Sequence, residues 1–407
     1  MYTERRKILN NNLEKQSMVI VFSGKAPRNS EDNFYRFHSN RNFFYLTGIN
    51  RENFIYIYNN IDEKEEILFI QKPNEKKEKW IGRFLKEEDA KEISQIDTIK
   101  YNEELTNYLI STLKDKDVEN VYLDIKNWEI DEPLTQSQKT SKVLVEKYPY
   151  INIKNINKEL ENLRLIKEEN EIKLIQKAVD ITKEAIENMM KKSKEGMYEY
   201  EIEANYNYTL GINGVNTSFD TIAASGENAV ILHYVENNCK TKKDDLILCD
   251  LGVKYKEYNS DITRTFPVNG KFTQRQKDVY KVVLDANKEV IKNAKPGKTL
   301  KDLNEIAKEV LFKGCKELGL IEKKEDLSKY YYHNVSHFLG LDVHDVGGKK
   351  IKLKKDMLIT VEPGLYIEEE GIGIRIEDNI LITKDKPKNL SKEIIKEIDD
   401  IEKLINS

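Results

Sequence analysis

Four of the chain's five histidines, His233, His333, His337 and His344, lie in its C-terminal half, and three of them fall between residues 333 and 344. His38 stands apart. A lone histidine is usually a satisfied core residue, whereas a cluster within reach of isolated carboxylates is a candidate ligand or proton-transfer set. Asp250 ends the apolar run Leu246-Ile247-Leu248-Cys249, where a bare carboxylate would be costly to bury. Asp261 follows in Ser260-Asp261-Ile262-Thr263-Arg264-Thr265-Phe266, and the turn-like sequence between the two aspartates lets their strands form a hairpin. Either aspartate alone reads better as a turn or salt-bridge residue. As a pair flanked by apolar sequence they favour a cation, because two adjacent like charges otherwise raise one pKa.

The C-terminal segment has the same character. Glu362 closes the run Met357-Leu358-Ile359-Thr360-Val361 just before Pro363-Gly364. In Gly371 to Ile380, strand alternation puts Ile372, Ile374, Ile376 and Ile380 on one face and Arg375 with Glu377 on the other. An Arg beside a Glu is equally consistent with a structural ion pair. Four ionised carboxylates in one pocket would carry about −4, which two divalent cations cancel and one does not. Oxygen-dominated coordination with one imidazole suits manganese ahead of cobalt or zinc. Two such ions roughly 3.5–4 Å apart can share a water, lower its pKa and polarise a carbonyl, as amide hydrolysis at neutral pH requires.

These residues need a scaffold. The first 150 or so residues alternate short β-type runs (Met18 to Phe22, Phe43 to Leu46, Phe54 to Tyr58, Ile67 to Ile70, Val121 to Leu123) with helix-compatible stretches such as Glu103 to Leu113, predicting a small α/β domain. From Glu159 to about Lys191 apolar residues recur at helical spacing, interrupted late by Thr182, so one helix is predicted and the domain boundary falls just before it, giving domains 1–155 and 156–407. Thr273 with Gln276 and Thr299 with Asp302 predict the starts of two further helices. Strands are predicted over Leu246 to Val253, Ser260 to Val268, Met357 to Val361 and Gly373 to Thr383, so the second domain packs helices on an antiparallel or curved sheet. The fold class is α+β overall.

The order Asp, Asp, His, Glu, Glu in these surroundings resembles the pita-bread metallopeptidases, and among them the aminopeptidase P (Xaa-Pro aminopeptidase) family. The resemblance rests on Leu232-His233-Tyr234, Cys249-Asp250-Leu251-Gly252, Asp261 to Thr265, His333 to His344, Glu362-Pro363-Gly364-Leu365-Tyr366 and Arg375-Ile376-Glu377-Asp378. In the N-terminal half Tyr35-Arg36-Phe37, Phe43 to Gly48 and Trp80-Ile81-Gly82-Arg83 carry it, so it covers nearly the whole chain. Asn334, Asn33 and His38 depart from the pattern but leave every ligand position filled. The resemblance implies that Asp250 chelates one metal, that Asp261 and Glu377 bridge both, and that His337 and Glu362 complete the other. It implies that Glu362 is also the general base, that His233 and His344 contact the scissile carbonyl or the tetrahedral intermediate, and that His333 and Arg375 shape a proline pocket, with Tyr366 assisting. It further implies peptides with proline in second position as substrates and a homodimer or homotetramer joined through N-terminal domains, with Trp80 near a neighbour's cleft. The nearest alternative is a prolidase, which cuts only Xaa-Pro dipeptides. A metal-free peptide-binding homologue and a creatinase-like hydrolase are disfavoured by the complete ligand set.

Bulk properties agree. Lys+Arg number 67 and Asp+Glu 71, a net charge of −4 that offers no general attraction to nucleic acid or anionic membrane. No apolar run is long enough to span a bilayer, and the charged N-terminus leads into Asn10, Asn11 and Asn12 rather than a signal-peptide core, so a cytoplasmic location is expected. Three cysteines without metal-type spacing argue against a disulfide framework, and Cys249 and Cys315 read as small core residues.

Overall fold

Four of the five β-type runs at the start of the chain lie in one six-stranded sheet in the computed structural model, which describes residues 1–126 and 129–407. The chain divides into two units, Met1–Arg164 and Leu165–Ser407. In the first, β1 (Ser17–Phe22), β2 (Ile55–Asn59), β3 (Glu65–Ile70), β4 (Thr98–Tyr101), β5 (Asn120–Leu123) and β6 (Asn152–Asn155) lie in the order β4-β3-β2-β1-β5-β6. β1 pairs antiparallel with β2 and parallel with β5, and every residue of it is buried, as a continuous apolar run requires.

Two sequence expectations change here. Phe43 to Leu46, read as β-type, lies in the helix Arg41–Thr47. The Asn40 side chain accepts from the N–H groups of Asn42 and Phe43, and Gly48 ends the helix at φ 72°, so the end signals outweigh the strand propensity of the aromatic run. The single helix expected from Glu159 to Lys191 is two, Asn157–Leu165 and Glu169–Lys192. Glu168 opens the second with a capping box to Glu171, while Lys167 is buried against Asp345 at 3.0 Å and its N–H donates to Asp356 O at 2.7 Å. A break of about one turn keeps the apolar stripe in register, so spacing alone cannot reveal it. Thr182, the polar interruption, is buried, donating to Ala178 O at 2.8 Å and sharing a 2.7 Å bond with Ser260 Oγ.

The second unit is built from antiparallel sheets. β7 (Asn216–Thr217), β10 (Val253–Tyr255) and β11 (Tyr258–Asn259) form one, and β8 (Ile222–Ser225), β9 (Leu246–Leu251) and β12 (Ile262–Pro267) form a second, ordered β12-β9-β8. β13 (Leu358–Val361), β16 (Asp378–Leu381) and β17 (Lys388–Asn389) form a third, and β14 (Gly364–Ile367) with β15 (Ile372–Arg375) is a hairpin. The run expected as one strand from Gly373 is split between β15 and β16. At the split, Glu377 N–H donates to Thr263 O at 3.0 Å, and beside it Thr265 Oγ1 bonds both Arg375 N–H and Arg375 O. β12 is thereby joined to the β15–β16 stretch, and the antiparallel surface curves. The run Leu246 to Val253 is divided at Gly252, where a Cβ would meet Ser260 O at 2.0 Å.

The helices Gln274–Asn293 and Leu300–Glu317 start at the predicted capping boxes, Thr273 with Gln276 and Thr299 with Asp302. Val290, Leu303 and Ala307 on them pack with Ile359, Val361 and Ile380 of β13 and β16, a core behind the acidic face of the sheets. Cys249 and Cys315 are buried and Cys239 is exposed, all three free.

Candidate metal centre

β9 and β12 run antiparallel with Asp250 opposite Thr263, which brings Asp261 to the same end of the pair. Asp261 is pinned by Asn379, which accepts from Asp261 N–H at 3.2 Å and donates to its carbonyl at 2.6 Å. Glu362 follows β13 and Glu377 precedes β16, two strands that pair antiparallel with Val361 opposite Asp378, so both glutamates arrive at the same end. The imidazole comes from an irregular segment laid along β13, where Thr360 N–H donates to His337 O and Glu362 N–H to Val335 O, both at 2.9 Å.

Asp261, His337 and Glu377 offer ligand atoms that all lie within 4.8 Å of one another. His337 Nε2 is 3.3 Å from Asp261 Oδ2 and 3.5 Å from Glu362 Oε1. His337 Nδ1 faces Phe338 O at 3.0 Å and so carries the proton, leaving the Nε2 lone pair for the site. Asp250 is held differently: its Oδ2 accepts from Arg375 Nη2 at 2.6 Å, while Oδ1 is buried with no hydrogen-bond partner. Burial, then the charges of Asp250 and Glu362, push the Asp261 carboxyl well above the usual range. Burial, then Asp261 and Glu362, do the same to Glu377, and burial raises Glu362. Acidic groups that repel one another in a buried place, with an orphaned carboxylate oxygen among them, fit divalent cations as the missing counter-charge.

The site opens into a cavity of about 660 Å³ whose lining includes His233, His333, His337, His344, Asp250, Asp261, Glu362, Arg375 and Glu377. All the sequence-predicted site residues are therefore together except Tyr366, which is buried behind the wall. There Tyr366 OH accepts from Arg375 Nη1 at 2.9 Å and bonds His333 Nε2 at 2.9 Å, and His333 Nδ1 faces Asn334 O at 2.9 Å. Burial, then the Arg375 charge, lowers His333 to about 4, and burial, then His337, lowers His344 to about 4, so both rings are neutral at pH 7. His344 packs against His337 with ring centroids 4.1 Å apart and the ring planes tilted by 40°. His38 belongs to the first unit.

Sequence reasoning missed Thr263, whose Oγ1 donates to Glu377 Oε2 at 2.8 Å and accepts from Arg375 Nε at 3.1 Å. Strand alternation could have found it, since Asp261, Thr263 and Thr265 share a face. It also missed Asn379, and Tyr206, whose fully buried hydroxyl feels the charges of Asp261 and Asp250 and has no hydrogen-bond partner. Tyr206 stands in an ordinary helical stretch, and no local signal marks it.

An acidic cluster with one imidazole on a curved antiparallel sheet, beneath a cavity lined by further histidines, defines a metallopeptidase. The sequence model of metallopeptidase family M24 matches residues 173–384, and that of the aminopeptidase P N-terminal domain matches residues 2–122. The Xaa-Pro aminopeptidase of Escherichia coli K12 is 33% identical over 439 residues, covering 99% of this chain and 97% of that protein. A Pyrococcus furiosus Xaa-Pro dipeptidase is 35% identical over 316 residues, covering 76% of this chain and 82% of its own. Among solved structures, one described as an aminopeptidase P from Bacillus anthracis superposes with TM-score 0.98 at 45% identity, covering 100% of this chain and 97% of that one. E. coli aminopeptidase P with the inhibitor Pro-Leu gives 0.92 at 31%, with the same coverage. The chain belongs to metallopeptidase family M24, in its aminopeptidase P group, and is a metal-dependent aminopeptidase.

Proposed function

We propose that the chain hydrolyses the N-terminal Xaa-Pro bond of peptides, with two divalent cations held by Asp250, Asp261, His337, Glu362 and Glu377, manganese ahead of cobalt or zinc. The observation that carries this reading is the convergence of the Asp261, His337 and Glu377 donor atoms within 4.8 Å on a cavity that His233, His333 and His344 also line. When bound, the cations would cancel the carboxylate charge, acidify water and polarise the scissile carbonyl.

The remaining work falls to the chain. Glu362, steadied by Thr360 Oγ1 at 3.3 Å, takes the proton of the attacking water on a carboxylate oxygen. His233 and His344 hold the carbonyl oxygen as it gains charge, and the neutral His344 ring has one N–H to give. An Xaa-Pro bond lacks the N–H that ordinary peptidases read, so recognition passes to the proline ring. His333 and Arg375, each tied to Tyr366, form the fixed wall against which that ring packs.

Outside the site, Trp80 and Ile81 are 90% and 73% exposed, which suits burial against a second copy, so we expect a homodimer or homotetramer. Light scattering after size exclusion reads that directly. Among the described residues no helix is long and apolar enough to cross a membrane, and a cytoplasmic location, with neither nucleic acid nor membrane as partner, accords with the weak net charge.

Likeness to a dipeptidase keeps prolidase as the second reading. Both readings meet in one experiment: metal-stripped protein is assayed on Xaa-Pro dipeptides and Xaa-Pro-Xaa tripeptides before and after adding manganese. Metal-dependent release of the first residue from the tripeptide is the expected result. Cleavage of the dipeptide alone makes the chain a prolidase, and no metal-dependent cleavage of either defeats the proposal.

A further inference from the structure

We propose that Glu199 is a positioning residue for His233: it sets the segment Ser225–Cys239 that carries this histidine to the cavity, an inference that rests on the function proposed above. Glu199 is the first residue of the helix Glu199–Ile212 and is 0% exposed. Its Oε1 accepts from Ser225 N–H at 2.7 Å, Ser225 Oγ at 2.7 Å and Asn228 Nδ2 at 2.9 Å. Its Oε2 accepts from Tyr234 OH at 2.8 Å and Cys239 N–H at 2.9 Å. These donors are neutral, and their number matches the acceptor-only valence of a carboxylate that has lost its water.

The bonds run from one end of the segment to the other. After the short 3₁₀ turn Gly226–Val230 the segment has no helix, and up to Cys239 no strand ladder to hold it. His233 itself is solvent-exposed and makes no hydrogen bond among the described residues, so its place at the cavity is set by its neighbours. Tyr234, next in the chain, is 6% exposed and anchored on Glu199. Asn237 supplies a separate tie, donating to Thr221 O and to Glu203 Oε2, both at 2.8 Å. It does not touch the part that bears His233.

A glutamine at this position keeps the volume but has one acceptor oxygen and one donor NH₂. The NH₂ must face either the Ser225 and Asn228 donors or the Tyr234 and Cys239 donors, so one end of the segment is released. A side chain displaced by about 1 Å at a reacting centre costs on the order of 10- to 100-fold in rate.

The test is a double-mutant cycle in the manganese-loaded enzyme on an Xaa-Pro-Xaa tripeptide, with Glu199→Gln, His233→Ala and the pair. The expected result is a 10- to 100-fold fall in kcat/KM for Glu199→Gln alone and less than about a twofold further fall when His233 is already alanine. Equal losses in both backgrounds overturn the inference, because a general loss of structure would act regardless of His233. A second arm needs no activity: hydrogen exchange of the metal-free protein should quicken at Ser225 or at Cys239, whichever end the amide NH₂ faces, in Glu199→Gln while β9 and β12 keep their protection. Unchanged exchange at 225–239 also overturns it. If Glu199→Gln does not fold, Tyr234→Phe, which removes one donor, must show the same pattern at smaller size. Inactive parent enzyme would defeat the functional proposal and leave the exchange arm to judge Glu199.

Discussion

Arg375 and Asp250 form a largely buried ion pair: Nη2 lies 2.6 Å from Oδ2, and the side chains are 4% and 15% exposed. The same guanidinium bonds Tyr366 OH and Thr263 Oγ1, and Thr263 in turn bonds Glu377. One planar group thus links the substrate wall to the acidic cluster, and the fork geometry that permits three simultaneous partners is peculiar to arginine.

Arg375→Lys keeps the charge and loses the fork. We expect kcat/KM on an Xaa-Pro-Xaa tripeptide to fall by about tenfold or more, which corresponds to ~1.4 kcal/mol of transition-state stabilisation. Steady-state kinetics alongside metal content measured by mass spectrometry check this. An unaltered kcat/KM would show that the fork does not matter.

Removing metal should change how stability depends on pH. In the metal-free protein Asp261 and Glu377 titrate above their unfolded values, chiefly because they are buried and also because they repel each other and their acidic neighbours. A raised folded pKa means that the folded state holds protons the unfolded state has lost. Stability from these groups is therefore full below the ordinary carboxylate range and is lost as pH rises through the raised values. Bound cations replace the protons, so the gain in Tm on adding manganese to chelator-treated protein should grow with pH. Thermal melts across a pH series test this, and a gain that is flat or shrinks with pH contradicts it.

Asp378 carries the opposite sign. Burial would raise its carboxyl, but the Arg264 and Lys396 charges and their hydrogen bonds outweigh that and hold it well below the usual aspartate range. Its contribution is present above the unfolded aspartate value, about pH 4, and is lost as pH falls below that. Asp378→Asn leaves Arg264, whose side chain is 0% exposed, without its carboxylate, and should cost about 3–5 kcal/mol. Urea denaturation at pH 7 gives the number, and a cost under ~1 kcal/mol would mean that water reaches the pair.

Gly373 lies in β15 where a Cβ would meet Ala229 O at 2.0 Å and Ala229 C at 2.3 Å. Both contacts are backbone, so Gly373→Ala must push the 3₁₀ segment Gly226–Val230 away from the sheet. A loss of about 1–3 kcal/mol is expected, read as a lower Tm. A Tm equal to the parent's would mean that the two backbones separate freely.

Much of this was legible in the residues themselves. Asp250 and Glu362 each end an apolar run, and Asp261 and Glu377 stand in strand-like sequence, where an acid is conspicuous because burial without a counter-charge is costly. The same local physics marks the starts of the helices after Thr273 and Thr299, where a side chain within three residues satisfies free N–H groups. Strand alternation likewise placed Arg375 and Glu377 on one face, and both line the cavity.

What the tertiary structure alone decided has a common cause: it depends on partners distant in the chain. The break at Lys167 exists because that ammonium finds Asp345, a residue with no local trace at position 167. Phe43 to Leu46 is helical because its ends are capped and all of it is buried, although the same four residues would suit a strand. The sharing of Asp250 between Arg375 and the acidic cluster, the Tyr366 hydroxyl behind His333, and the five donors on Glu199 are likewise contacts across the fold. Local propensity and spacing act over a few residues and identify which groups need a counter-charge or a cap; which distant group meets that need is settled only when the chain packs.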